Sequence, residues 1–374
     1  MKSLTNKGLL KIKGCVTSVI NIKKDKKDEF IQILDEFLTY HNNKFKSNKL
    51  ALKIFDLLEY ATILDDNKTQ YFTKKKVKIN DDDNYLKFKK KINEGTYGEI
   101  NSCLLNKVNV IVKNPIYKKD YGEDEVNISF LKENLIHVIL FCCHDLMNKC
   151  FKISSVPTCI PEILNLVKAT DRNKKDEKPI VIMEKLDNDG FYFFDKKHSY
   201  KDELTFIALV AYNIYFLQSS LKKFMHRDLH CGNIMTKKLN KSKNVDIMLN
   251  GKNLLSINSK YETYIIDYGM ACVDLASCLK IIQMPRAKIS SEGNYYSNYC
   301  DNKSHDMRLF LASIYFTCYK KISYKLQTFL FNLLDEYKAG SWHDFYEQVL
   351  KVKDKNFYPE NILKKIKYEM SENL

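Results

Sequence analysis

The feature that most limits how this chain folds is the run from Leu204 to Leu217, whose apolar character is broken chiefly by Tyr212 and Asn213. It falls short of the roughly 18 continuous apolar residues that a membrane-crossing helix needs. A helix that is apolar around its circumference has to be covered on every side. The run is therefore expected as a central buried helix that ends before His226. The cover is available: the chain has 374 residues, 45% of them apolar, enough for one large domain or two smaller ones.

On the N-terminal side, residues 1–85 read as a basic helical extension. Phe30, Ile33, Leu34, Phe37 and Leu38 recur at helical spacing, and so do Leu50, Ile54, Leu57, Leu58 and Ala61. The charged run from Lys74 to Asp83 reads as an exposed joint. From Ile92 to Lys113 the pattern changes to three antiparallel strands, joined by the turn Asn93-Glu94-Gly95-Thr96-Tyr97-Gly98 and a hairpin turn at Asn106-Lys107. A helix over about residues 126–143 and a buried strand at Ile180-Val181-Ile182-Met183 follow. Past the central helix, stripes such as Leu309, Phe310, Ile314, Tyr315 and Leu326, Phe329, Leu330, Leu333, Leu334 predict a helical remainder. Residues 237–260, rich in Lys, Asn and Ser, predict an enlarged surface hairpin or loop. A strand-rich front and a helix-rich rear point to an α+β chain of two lobes with a cleft between them.

The strongest chemical signal follows the central helix directly: His226-Arg227-Asp228-Leu229-His230-Cys231-Gly232-Asn233. An aspartate can orient a hydroxyl nucleophile and accept its proton, and an asparagine five residues on can hold a divalent cation beside phosphates. Thirty-nine residues after Asp228, the apolar pair Ile265-Ile266 runs into Asp267-Tyr268-Gly269. A carboxylate at a strand end, followed by a glycine that permits a turn, suits a second ligand to magnesium, which prefers oxygen donors and few of them.

With these residues in view, the chain resembles the protein-kinase superfamily. His226 to Asn233 fits His-Arg-Asp-Leu-x-x-x-Asn, and Asp267-Tyr268-Gly269 fits Asp-Phe-Gly with tyrosine for phenylalanine. The resemblance implies a two-lobed protein-kinase-like fold with a small antiparallel-sheet N-lobe and a helical C-lobe. It divides the chain into the extension (1–85), an N-lobe with hinge (86–186) and a C-lobe (187–374). It makes Asp228 the catalytic aspartate and Asn233 and Asp267 the ligands of Mg2+, or of Mn2+ in its place. Arg227 would link the catalytic loop to a phosphorylated activation segment. Asn93, Gly95 and Gly98 resemble the glycine-rich loop over the ATP phosphates. Its first glycine position is held by Asn93, which adopts a positive φ more readily than most residues. Lys113, ending Val110-Ile111-Val112-Lys113, resembles the phosphate-contacting lysine. Glu133 is its expected acidic partner, with Glu125 and then Glu123 as alternatives. Met183, Glu184 and Leu186 resemble the hinge that binds adenine, with Asp187 or Asp189 toward the ribose. Asp306 resembles the buried aspartate that fixes the catalytic-loop backbone.

The activity implied is transfer of the γ-phosphoryl group of ATP to a hydroxyl, with a protein substrate as the favoured acceptor. Serine/threonine kinases usually carry lysine two residues after the catalytic aspartate, whereas His230 stands there. Small-molecule kinases of the choline and aminoglycoside type often show Asp-Leu-His at this place, so a small alcohol is the alternative acceptor. A kinase-fold scaffold of weak or no activity is a third reading, against which stands the filling of all the essential polar positions. No Ala-Pro-Glu triplet lies between Asp267 and Asp306. The divergence and residue usage also resemble kinases of large DNA viruses.

The formal charge of +15 is concentrated early, with 21 lysines against 12 acidic residues in positions 1–91. Such an excess suits nucleic acid or an anionic surface as partner. The basic residues are scattered, however, with no aromatic interleaving, and solubility is the plainer explanation. Eleven cysteines show no regular framework and no secretory leader precedes them. Reduced thiols in a cytoplasmic compartment (host cytoplasm or virion, if viral) are the expectation. Cys142, Cys143, His144, Cys150 and Cys159 match no closed zinc spacing.

Overall fold

A computed structural model gives the fold. It describes residues 20, 22–39, 44–58, 61–64, 68–70, 85–94, 98–105, 107–117, 122–151, 157, 159–171, 174–221, 223–274, 282–283, 302–334 and 354–372. The chain is mixed α+β. Two N-terminal helices, α1 (Lys27–Thr39) and α2 (Lys44–Leu57), precede seven strands interrupted by one long helix. These are β1 (Ala61–Leu64), β2 (Lys68–Gln70), β3 (Tyr85–Glu94), β4 (Gly98–Leu105), β5 (Val108–Pro115), α3 (Glu123–Phe151), β6 (Ile163–Asp171) and β7 (Lys174–Glu184).

The sheet runs β1-β2-β3-β4-β5-β7-β6 and closes through a parallel pairing of β1 with β6, Ala61 facing Lys168. Its five longer strands, β3 to β7, pair antiparallel. Alternation along β7 shows how it divides the interior. Ile180 and Ile182 join a small cluster with Leu86, Cys103, Val110 and Val112, while Val181 turns to the main core under α3.

Most of both helical stripes is buried, but Leu57 is half-buried and Ala61 falls in β1, not in a helix. Phe30, Phe37 and Ile54 are fully covered and share the core of Phe130, Leu131 and Leu135 on α3. Each such side chain stabilises by roughly 1.5–3 kcal/mol. The segment before residue 86 is not only helical, however. β1 and β2 complete the sheet, and Ile20 bridges to Leu166 of β6. Strands of three and four residues carry too few alternations to register as a pattern.

The second half opens with β8 (Asn188–Asp189), α4 (Gly190–Phe194) and α5 (Tyr200–Ser220). Helix α5 is capped by Ser199, whose Oγ accepts from the Asp202 amide at 3.1 Å, with Asp202 and Glu203 in the first turn. Leu204 to Leu217 are all buried. The polar interruption is satisfied: Asn213 Nδ2 donates to Thr263 O at 2.9 Å and to Thr263 Oγ1 at 3.0 Å. Next come β9 (Lys223–Met225), β10 (Ile234–Leu249), β11 (Lys252–Ile265), β12 (Cys272–Asp274) and β13 (Ile282–Gln283). Only then does the chain become helical, with α6 (His305–Cys318), α7 (Tyr324–Leu334) and α8 (Pro359–Glu372).

The expectation of a helical remainder therefore fails between residues 223 and 283. Residues 237–260 form the outer part of the β10–β11 hairpin. Its turn, Asn250-Gly251, has φ of 49° and 79°, the two positive values that a two-residue hairpin turn demands. The tip returns to the body, with the Asn250 amide donating to Tyr215 Oη at 3.0 Å.

Cys103, Cys142, Cys159, Cys231 and Cys318 are buried free thiols. Cys272 is disulfide-bonded, so the expectation of uniformly reduced thiols fails at that position. Cys143 and Cys150 lie outside the residues whose side chains are described. His144 uses its Nε2 on Pro157 O at 2.6 Å.

Candidate active site

The site is assembled where the sheet, α3 and the base of the β10–β11 hairpin meet. Lys113 sits in β5, opposite Ile100 of β4 and Val181 of β7. Gly98 makes room for its stem: a Cβ there would stand 2.9 Å from Lys113 Cε. The Lys113 ammonium pairs with Glu133 of α3. Of the three acids considered as partner, Glu133 is the one in contact, with both side chains almost covered.

Asp267 is the third member. It is exposed on the side away from Lys113 and Glu133. Burial works against the charge on Lys113, but the Glu133 and Asp267 carboxylates hold its pKa above the ordinary value. Burial pushes Glu133 up to about 7, against the pull of Lys113 and assisted by Asp267. Burial also opposes ionisation of Asp267, but Lys113, His226 and the Gly269 amide outweigh it and hold the carboxyl low. One cation thus serves two carboxylates, an arrangement that favours a further positive charge.

The segment from His226 to Asn233 faces this cluster. Asp306, fully buried in the first turn of α6, accepts from the amides of His226 and Arg227 at 2.8 Å each. Those bonds hold a backbone in which Arg227 has a φ of 68°, a left-handed value that costs a non-glycine residue roughly 1–3 kcal/mol. Asn233 Nδ2 donates to Asp228 O at 2.8 Å, which leaves the amide oxygen as its donor atom for a cation. The hairpin then closes the sequence gap. Ile234 pairs with Ile265, and the Ile266 amide donates to Asn233 O at 3.0 Å. Residues 233 and 267 therefore stand side by side whatever the length of the hairpin beyond them.

His226 Nε2 bonds Ile266 O at 2.8 Å, tying the segment to the approach of Asp267. Asp267 itself is left-handed, with φ 62°. Tyr268 is buried between His137 of α3, at 5.1 Å between ring centroids, and His226, at 5.6 Å. Its hydroxyl donates to Ile265 O at 2.7 Å. Burial lowers the His137 pKa to about 3, so that ring packs as a neutral group. Sequence reading passed over His137, although it lies four residues beyond Glu133 and so on the same face of the helix.

Toward the other end, Met183 and Glu184 close β7. Glu184 accepts from the Glu162 amide and from Lys237 Nζ, both at 2.9 Å. Leu186 is buried. The two carboxylates considered for a ribose already serve the backbone: Asp187 accepts from the Lys238 amide at 2.7 Å, and Asp189 caps Tyr192 at 2.7 Å. Asn93 is not left-handed; it stays in the β3 ladder opposite Ile100, with its side chain accepting from the Glu94 amide at 2.8 Å. The strand pairing simply continues past the point where a turn residue was expected. Gly95 lies outside the described residues, as does most of the stretch from 275 to 301 toward which a role for Arg227 was expected.

Among the described residues no three His, Cys, Asp or Glu side chains converge as a metal cage, and no helix is long and apolar enough to cross a membrane. The chain matches no protein-family model and no curated protein.

Proposed function

We propose that the chain is an ATP-dependent phosphotransferase of protein-kinase architecture, with the sheet and α3 as one lobe and the helices around α5 as the other. A serine or threonine of a protein is the favoured acceptor. The observation that carries the proposal is the convergence of the Lys113–Glu133 pair with Asp267, Asn233 and Asp228, drawn from four separate elements. Lys113 would contact the ATP phosphates beside Gly98, with Met183, Glu184 and Leu186 along the adenine edge.

Asp228 would orient the acceptor hydroxyl and take its proton. Mg2+ would be held by Asn233 Oδ1 and the Asp267 carboxylate, where it would neutralise phosphate charge. Two oxygen donors without a protein cage suit an ion that keeps several waters and arrives with its nucleotide. Most of the rate gain would come from this positioning and from fixed charge, because phosphoryl transfer asks little covalent work of the protein.

Purified protein incubated with labelled ATP-Mg, casein and a mixture of small alcohols tests the proposal, beside Asp228→Ala. Labelled casein with wild type, absent with the variant while nucleotide still binds, is the expected result. Labelled small alcohol instead would move the acceptor to the choline and aminoglycoside class, which His230 favours. No nucleotide binding or turnover by either protein would leave only the scaffold reading.

A further inference from the structure

His230 stands two residues after Asp228, at the start of the turn Cys231–Asn233. Its ring is fixed from two directions. The Gly232 amide donates to Nδ1 at 3.0 Å, and Phe191 stacks on the ring with centroids 6.1 Å apart and planes 22° from parallel. The cradle admits nothing larger than glycine: a Cβ on Gly232 would stand 2.9 Å from His230 Cε1 and 3.2 Å from Phe191 Cε2.

An amide can only donate, so the ring nitrogen facing it carries no proton. That assigns one tautomer, with the hydrogen on Nε2. Nε2 in turn lies 3.9 Å from Asp228 Oδ2. The separation is too long for a direct hydrogen bond, but an oxygen about 2.8 Å from each atom would fit between them. Both side chains are about one-third exposed, so such an oxygen can enter from solvent.

We propose that His230 is a catalytic residue acting as a neutral hydrogen-bond donor, whose Nε2–H grips the acceptor hydroxyl oxygen while Asp228 takes the hydroxyl proton. The inference rests on the phosphotransferase reading above. In the step itself, the O–H bond breaks toward the Asp228 carboxylate and the acceptor oxygen bonds to the γ-phosphorus. The bond from that phosphorus to the bridging oxygen breaks, and its electron pair leaves with ADP. The Nε2 hydrogen stays on His230 throughout. A lysine at this place would supply a mobile cation; this imidazole supplies a directed donor held by its own turn.

Two variants separate this role from a structural one. Asparagine can reproduce the Nδ1 acceptor but not the Nε2 donor, whereas glutamine can reach the Nε2 position but gives up the contact to Gly232. His230→Asn is expected to keep the wild-type melting temperature and ATP KM and to lower kcat roughly 10- to 100-fold. His230→Gln should lose less kcat than His230→Asn despite a lower melting temperature. The probes are labelled ATP-Mg with casein and with small alcohols, using whichever acceptor wild type labels. If His230→Asn keeps wild-type kcat while His230→Gln is impaired, His230 only braces the turn and the inference is overturned. Wild type that labels neither acceptor overturns the phosphotransferase reading itself and this inference with it.

Discussion

Replacing Asp306 with asparagine tests the support of the site at its most concentrated point. The carboxylate accepts two backbone amides, from His226 and Arg227, at 2.8 Å each and without solvent access. Hydrogen bonds to a buried charged group contribute roughly 1.5–3 kcal/mol each. Asparagine keeps one acceptor oxygen but turns an NH2 group toward the other amide, so one bond is lost and a buried donor is left facing a donor. The left-handed Arg227 then loses half of what holds it. Asp306→Asn should therefore destabilise by about 4 kcal/mol, on the order of 5 °C in melting temperature for a chain of this size. Burial opposes the Asp306 charge, but His305, His226 and the backbone amide outweigh it and hold the carboxyl below its ordinary range. A depressed carboxyl contributes stability that is complete above the unfolded value and lost as pH falls through the folded one. Urea unfolding at several pH values should show the gap between wild type and variant full at pH 7 and narrowing below about pH 4. Nucleotide binding should survive better than turnover. A gap under about 1 kcal/mol, or one that widens on acidification, would refute the reasoning.

Lys132 is buried on α3, one residue before Glu133, with its ammonium 5.4 Å from the centre of the Phe37 ring of α1. Burial lowers its pKa to about 8, so folding disfavours the charged form and stability should rise with pH from about 8 to 10.5. Lys132→Met should remove that rise, as read by denaturation across pH. Glu133 behaves in the opposite sense. Its carboxyl is raised to about 7, so it contributes a loss of stability as pH climbs from its ordinary value of 4.5. Ionisation completes the pair with Lys113, so nucleotide affinity should strengthen as pH rises through about 7, and Glu133→Gln should flatten both profiles. Titration calorimetry showing the same affinity trend in the variant would contradict the assignment.

What could be read in the sequence was what is contiguous. His226 to Asn233 is a single string, and Asp267 ends a short apolar run, so both stood out without knowledge of their distance in space. Leu204 to Leu217 was legible for the same reason. The partner of Lys113 was harder, because Glu123, Glu125 and Glu133 all precede or sit within one helix; the contact selects the residue two turns or more inside it. The middle of the β10–β11 hairpin gave no alternation to read. Residues 239–244 are almost all exposed, so neither face selects apolar side chains. The pairings of β1 and β2 were hidden by shortness, and the closeness of Asn233 to Asp267 by the hairpin between them.

Residues that differ from the kinase pattern the chain resembles and residues that match it are held in different ways. Tyr268 brings a hydroxyl into a buried place and finds Ile265 O. His230 brings an imidazole and finds the Gly232 amide and Phe191. Asn93 brings an amide and finds the Glu94 N–H. Only the buried Tyr268 needs its partner, because a buried polar group left unpaired costs roughly 1–3 kcal/mol; Asn93 is exposed and His230 partly so. Lys113, Glu133, Asp228, Asn233 and Asp267, by contrast, match the pattern the chain resembles, with Lys113 and Glu133 paired under cover and Asp267 left-handed. Strained and charged sites persist where function demands them. That all five positions are filled, Asp228 and Asn233 of them on the loop pinned by Asp306, is what favours turnover over a scaffold role within the function proposed above.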